Sequence, residues 1–163
     1  MIRKLLPHPH LTLLLTVVWL LLANSYTMNS LVFGVIMGLV IPWVTAPYWP
    51  DRPVIRRFPK IVEYVLIVLW DIIVSNLVVA KIVLFMPKSK LQPAWVTVPL
   101  DLVEPESITV LAGTITMTPG TLTAEIAADG HSLLVHCLHA PDPDGVRDDI
   151  KARYERRLKE IFE

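Results

Sequence analysis

IVEYVLIVLWDIIVSNLVVAKIVLFM, residues 61–86, decides the architecture of this chain. An apolar run of this length makes a helix longer than the roughly 20 residues that cross a ~30 Å hydrocarbon core. Its polar members are few: Glu63, Asp71, Ser75, Asn76 and Lys81. Asp71 lies about ten residues into the run, about 15 Å along the helix, where an ionisable group is expensive in lipid and marks a functional position. At about 100° per residue Asp71 and Ser75 share a face one turn apart, while Lys81 is about 15 Å away along the axis, too far for a direct pair. Lys81 and Glu63 each sit near an end and can snorkel to it. Asp71, Ser75, Asn76 and Lys81 are therefore candidates either for an ion relay or for a polar contact with a partner subunit.

Upstream lie two shorter apolar runs, Leu11 to Ala23 and Leu31 to Ala46, separated by the polar stretch from Asn24 to Ser30. The second carries Gly34 and Gly38, a spacing that lets helices approach closely, and Pro42 late in the run. These runs form either a thin helical hairpin, with Trp43, Tyr48 and Trp49 as interfacial anchors, or the two halves of one broken helix. Between them and the long run, Pro47 to Lys60 is a stiff basic loop holding Arg52, Arg56, Arg57 and Lys60, suited to a positive-inside position or to lipid headgroups. Arg3 and Lys4 followed by an apolar run resemble a signal peptide, but Asn24-Ser25-Tyr26 is a poor cleavage site and another apolar run follows.

After Met86-Pro87-Lys88-Ser89-Lys90 the periodicity changes. Ala94 to Leu100 reads as a strand, and Glu104-Pro105-Glu106-Ser107 as a helix start, with that helix running to about Ile115. Thr118-Pro119-Gly120-Thr121 is a turn. Leu122, Ala124 and Ile126 alternate as a half-buried strand, Asp129-Gly130 signals a hairpin, and Leu133 to Leu138 returns. Pro141 to Gly145 reads as a loop, and Val146 to Phe162 as an amphipathic helix with the stripe Val146, Ile150, Tyr154, Leu158 and Ile161. The expected fold is a membrane α-helical region over residues 1–90, two short helices and one long, followed by a small α+β domain of order β-α-β-β-α over residues 91–163. About 70 residues bury only a small core, so the domain is expected to lean on partners.

Charge follows the same division. Residues 1–90 hold 9 Lys+Arg and 3 Asp+Glu, residues 91–163 hold 6 and 12, and the net charge of zero conceals two environments. Neither part is basic enough for nucleic acid. The single Cys137 allows no internal disulfide. His131, His136, Cys137 and His139 cluster without a zinc spacing, so no metal is expected, and a buried Cys137 with exposed histidines is the preferred reading. No phosphate-binding, dinucleotide, serine-hydrolase or metalloprotease motif is present. The chain reads as neither an enzyme nor the holder of a cofactor.

The stretch Leu111-Ala112-Gly113-Thr114-Ile115-Thr116-Met117-Thr118-Pro119-Gly120-Thr121-Leu122-Thr123 resembles the T-P-G-T signature of the E-type subunits of Mrp-, Mnh- or Pha-type multisubunit Na+/H+ antiporters. Leu134-Val135-His136, Trp19 to Ser25 and Ile73 to Ala80 resemble further segments of that family, in the same order. Ala112-Gly113 departs from the family's Ala-Asn and removes an amide side chain. The resemblance implies a small accessory or scaffold subunit of a cation/proton antiporter in the bacterial inner membrane, with other antiporter subunits and membrane lipid as partners, Na+ and H+ as the ions of the complex, and a role in pH homeostasis. It gives Thr116, Thr118, Pro119, Gly120 and Thr121 as a family-signature turn, read as structural. The alternatives are direct participation in translocation through Asp71, or a stand-alone membrane-anchored sensor.

Topology is open at this level. Three crossings put the N-terminus and basic loop inside and the domain outside by Lys/Arg bias. The lack of a disulfide and the resemblance favour a cytoplasmic domain. A broken first helix crossing once places both the N-terminus and the domain inside but leaves the basic loop outside.

Overall fold

The computed structural model describes residues 9–48 and 57–163. Arg3, Lys4, Trp49, Arg52 and Arg56, on which part of the sequence reading rests, lie outside these residues. The chain divides into two compact units, Met1–Arg52 and Pro53–Glu163.

The first unit is a helical hairpin of α1 (Pro9–Ala23) and α2 (Met28–Thr45), followed by a 3₁₀ turn, Ala46–Tyr48. The polar stretch between the apolar runs makes the reversal. Asn24 takes a left-handed φ of 45°, which asparagine tolerates better than most residues. Thr27 then caps α2, its hydroxyl accepting from the Ser30 N–H at 3.3 Å. Of the two arrangements left open by the sequence, the helices adopt the hairpin. Gly34 packs on Trp19 and Gly38 on Thr12 and Thr16, an antiparallel match. A Cβ at Gly38 would stand 2.7 Å from the Thr12 carbonyl oxygen, so this glycine sets the closest approach of the two backbones. The Trp19 and Phe33 rings, 4.7 Å apart, extend the contact.

The second unit opens with α3 (Phe58–Phe85), whose first turn contains Pro59. It continues with a 3₁₀ turn (Lys88–Lys90), β1 (Ala94–Pro99), α4 (Pro105–Met117), β2 (Thr121–Ile126) and β3 (Ser132–Cys137). It ends in α5 (Pro143–Ile150), a π-helical turn (Lys151–Glu155) and α6 (Arg156–Phe162). The β-α-β-β-α order is the one the sequence reading expects. The last helical segment begins at Pro143, because Asp142 caps it by accepting from the Gly145 N–H at 3.1 Å; the expected loop is a helix N-terminus.

The sheet is antiparallel, in the order β1-β3-β2. Val96, Val98, Leu133, Val135 and Cys137 point to one face and are buried, where α4 and the C-terminal helices cover them. Leu111, Ile115, Leu158 and Ile161 fill the layer between. Tyr64 and Val68 of α3 belong to the same core, with Ile61 and Ile72 packed at its margin. The long apolar helix is thus a structural layer of the α+β unit. This explains how so short a segment sustains a core: an additional helix of the same chain supplies the missing apolar surface.

Two glycines should respond in opposite ways. Gly38→Val should separate α1 from α2 and lower the yield of folded chain in membranes. Gly113 is exposed inside α4, and a Cβ there meets nothing within 4 Å, so Gly113→Ala should stabilise the second unit by about 0.5–1 kcal/mol, read as a higher melting temperature in detergent.

Candidate functional site

The carboxylate of Asp71, which the sequence places mid-helix with no visible partner, is met by two side chains of the C-terminal π-turn. Arg153 donates from Nε to Oδ2 and from a terminal nitrogen to Oδ1, each at 2.6 Å, a bidentate ion pair. The Tyr154 hydroxyl donates to Oδ2 at 2.9 Å. Charge-assisted forks of this kind fix geometry as well as charge. The Asp71 side chain is 11% exposed and that of Arg153 46%, so the arginine seals the acid from outside while its own outer edge remains wet.

Local backbone geometry places these groups. A regular α-helix turns neighbouring residues by about 100°. The π-turn widens one turn of the C-terminal helix at Lys151–Glu155, and π-turns recur at functional positions. Here Arg153 and Tyr154 both reach α3, while Glu155 is buried toward the sheet side. Glu155 accepts from the Asp101 N–H at 2.6 Å and pairs with Lys151 at 2.8 Å. A continuous α-helix, as the stripe from Val146 to Ile161 suggests, is the expectation this turn corrects. Periodicity cannot register one inserted residue when the apolar positions on both sides stay in phase.

Further contacts extend the clamp along α3. The Tyr64 hydroxyl lies 2.7 Å from that of Thr114, and its ring stands edge-on to Tyr154 at 6.5 Å. Lys60 bridges Glu63 and Glu160 at 2.9 and 3.1 Å, and Arg157 approaches Glu63 at 3.5 Å. At the other end Gly120, with φ 93°, presents its α-carbon to Val79; a Cβ would come within 3.0 Å of that side chain. Gly120 belongs to the T-P-G-T turn. Thr118 donates to the Thr114 carbonyl at 2.9 Å, Thr121 to the carbonyls of Ile115 and Thr118 at 2.6 and 2.9 Å, and Thr116 accepts from the Thr123 N–H at 3.2 Å. The threonines tie the end of α4 to the start of β2, and proline and glycine make a turn flat enough to sit on α3.

The remaining candidates disperse. Ser75 lines, with Asp71, Thr118, Asp149 and Arg153, a cleft of about 260 Å³. Asn76 is exposed and donates to the Ile72 carbonyl of its own helix at 2.8 Å. Lys81 lies at the far end of α3, beside Lys90 and His139. Cys137 is buried, and His139 accepts from the Gln92 N–H at 3.2 Å. The functional residues that sequence reading missed are Arg153, Tyr154, Tyr64 and Glu155. Their only signal is Arg153 beside the apolar stripe and the two tyrosines within apolar runs.

Burial, and then the Asp71 carboxylate to which it donates, push the Tyr154 phenol up to about 12 from an ordinary 10.0. The unfolded chain loses that proton near pH 10, whereas the folded chain keeps it to about pH 12. Stability is therefore lost as pH rises through this window. Tyr154→Phe should flatten that alkaline loss in a melting-temperature series. The Asp71→Asn and Arg153→Met changes, combined in a double-mutant cycle, should couple by about 1–2 kcal/mol.

A family model described as "Na+/H+ ion antiporter subunit" matches residues 12–161. The chain is 37% identical over 161 residues to a protein of Rhizobium meliloti named as a probable E-type K+/H+ antiporter subunit, covering 99% of both. It is 30% identical over 151 residues to the E-type Na+/H+ antiporter subunit of Alkalihalophilus pseudofirmus, covering 93% of this chain and 95% of that one. Among solved structures, a chain of the membrane-bound sulfane sulfur reductase, an archaeal respiratory membrane complex, superposes with a TM-score of 0.75 at 26% identity, over 99% of this chain and all of the other.

Proposed function

We propose, on the premise that this chain belongs to the family of Na+/H+ ion antiporter subunits, that it is an accessory, scaffold-type subunit of a multisubunit cation/proton antiporter in the cell membrane. In this reading it is a transporter component with no catalytic centre of its own. Its partners are the other antiporter subunits and membrane lipid, and Na+ or K+ and H+ are the ions of the whole complex.

One observation carries the accessory role. Among the described residues Asp71 is the only acid in the middle of an apolar helix, and both of its oxygens are held by Arg153 and Tyr154 of the same chain. A relay carboxylate must take and release an ion or proton repeatedly. A bidentate arginine opposes both, since protonating or metallating Asp71 would strand the guanidinium. The clamp instead makes α3 and the α+β elements one rigid body, which suits a scaffold. Translocation through Asp71 is the second reading, and the cleft that Asp71 shares with Ser75 and Asp149 favours it.

The α+β elements belong on the cytoplasmic side in this proposal. The hairpin returns the chain to the side from which it started. The basic residues before α1 and between Pro47 and Lys60 then share that side, and the uncharged turn from Asn24 to Ser30 faces out, as the Lys/Arg bias prefers. The buried thiol of Cys137 is at home in a reducing compartment.

Asp71→Asn in the tagged chain, expressed with its operon partners, decides between the two readings. The scaffold role predicts fewer co-purifying large subunits and a parallel fall in antiport, with transport per assembled complex unchanged. Full assembly with transport abolished would move Asp71 onto the ion path.

A further inference from the structure

The longest apolar helix of this chain has its polar partner along its side and not at its end. Contacts with the α+β elements begin at Lys60, which pairs with Glu160, and reach Val79, which meets Gly120. That interval is about 28 Å of helix, nearly the full thickness of a ~30 Å hydrocarbon core. If α3 stood across the bilayer, the elements clamped to it would stand at the same depth, and with them Arg153, Arg157, Asp149 and Glu160. Charges at that depth are tolerated only inside protein or a water-filled cavity, yet the Arg153 side chain is 46% exposed and the surface beyond it is polar.

The helix itself is two-faced. Taking Asp71 as the reference direction, Lys60, Glu63, Asp71 and Lys81 all fall within about 80° of one another. Val62, Leu66, Leu69, Ile73, Leu77 and Leu84 fall within about 60° of the opposite direction. All six are at least half exposed, between 50% and 72%. They form a stripe about 33 Å long. Trp70, 63% exposed, and Lys81 lie on its border, the positions at which an indole and a snorkelling ammonium meet a headgroup layer.

Charge names the occupant of this stripe. Lys81, Lys88 and Lys90 are exposed and have no carboxylate partner among the described residues. Lys81 and Lys90 also line a cleft of about 510 Å³ with Val78, Ile82, Phe85 and Met86, on the Asp71 side of the helix and so apart from the stripe. The chain leading into α3 carries Arg52, Arg56 and Arg57. Basic ends on either side of an apolar stripe suit an anionic phospholipid surface.

We infer that α3 does not cross the membrane: it lies in the plane of the cytoplasmic leaflet, with its apolar stripe in the acyl–headgroup boundary and the α+β elements clamped to its aqueous face. Among the described residues the crossings are then two, through α1 and α2. Asp71 faces the aqueous layer, where Arg153 and Tyr154 hold it. The Lys/Arg bias, the hairpin and a cytoplasmic domain become mutually consistent. The placement follows from packing within the second unit and holds whichever complex the chain joins.

The test uses the full chain in membranes of cells that also express its partner subunits. Phe58→Cys at the start of α3 and Ser89→Cys in the exposed turn just beyond its end are made with Cys137→Ser. A second set retains Cys137, whose thiol is buried, should that background fail to fold. A membrane-impermeant maleimide should label both ends in inverted vesicles and neither in right-side-out vesicles. Labelling of the two ends from opposite sides would show a crossing helix and overturn the proposal. Nitroxides at positions 62, 69, 77 and 84 should then report one shallow depth in lipid by oxygen and nickel-chelate accessibility. A depth that passes through a maximum between the ends would overturn it as well, and so would nitroxides shielded from both reagents, which would assign the stripe to a neighbouring subunit.

Discussion

An ionised carboxylate in the middle of an apolar helix needs a counter-charge, and here the same chain provides it. Asp71 is held by Arg153 and Tyr154 from a position more than eighty residues later, and much of the second unit is arranged around that contact. The π-turn exists where those two side chains must reach α3 together. The same turn sends Glu155 the other way, to hold the Asp101 N–H and Lys151. One irregularity in a helix therefore serves two faces: it joins α3 to the C-terminal helix and the C-terminal helix to the chain that follows β1.

The contacts flanking this pair distribute the same constraint along α3. Lys60 and Glu63 engage Glu160 and Arg157 near the start, Tyr64 meets Thr114, and Gly120 meets Val79 toward the end. The T-P-G-T turn takes its meaning from this arrangement. Its threonines satisfy the last carbonyls of α4, an end that otherwise leaves acceptors unpaired. Its glycine removes the side chain that would hold α3 away. A family signature here is a packing device at the junction of helix and sheet.

In the first unit backbone approach plays the part that charge plays in the second. Gly34 and Gly38 bring α1 and α2 together, and the Thr16 hydroxyl is shared between the Thr12 carbonyl of its own helix at 2.8 Å and the Gly34 carbonyl of α2 at 3.3 Å. Close approach through small residues and hydrogen bonds from hydroxyls suit helices in lipid, where no hydrophobic force drives their association. The second unit instead has one continuous exposed apolar stripe along α3, with every ionisable group of that helix on its other half. Each unit thus presents exposed apolar helix surface, reached by different means.

Much of this was legible in the sequence. Run lengths gave the three apolar helices, and alternation with turn residues gave β-α-β-β-α, because such patterns are local and repeat every two or 3.6 residues. The Gly34–Gly38 spacing announced a close helix contact, and the order of motifs pointed to the antiporter subunit family. The solitary position of Asp71 marked it as unusual, but no local pattern could name its partner. Arg153 lies far away in the chain, and its direction depends on a single widened turn that leaves Val146, Ile150, Leu158 and Ile161 in register. Likewise, hydropathy measures how apolar α3 is and cannot say whether a neighbour lies beside it or beyond its end. That distinction belongs to tertiary packing, since the same 28 residues satisfy the length rule for a membrane span whether or not a polar layer is fastened along one face.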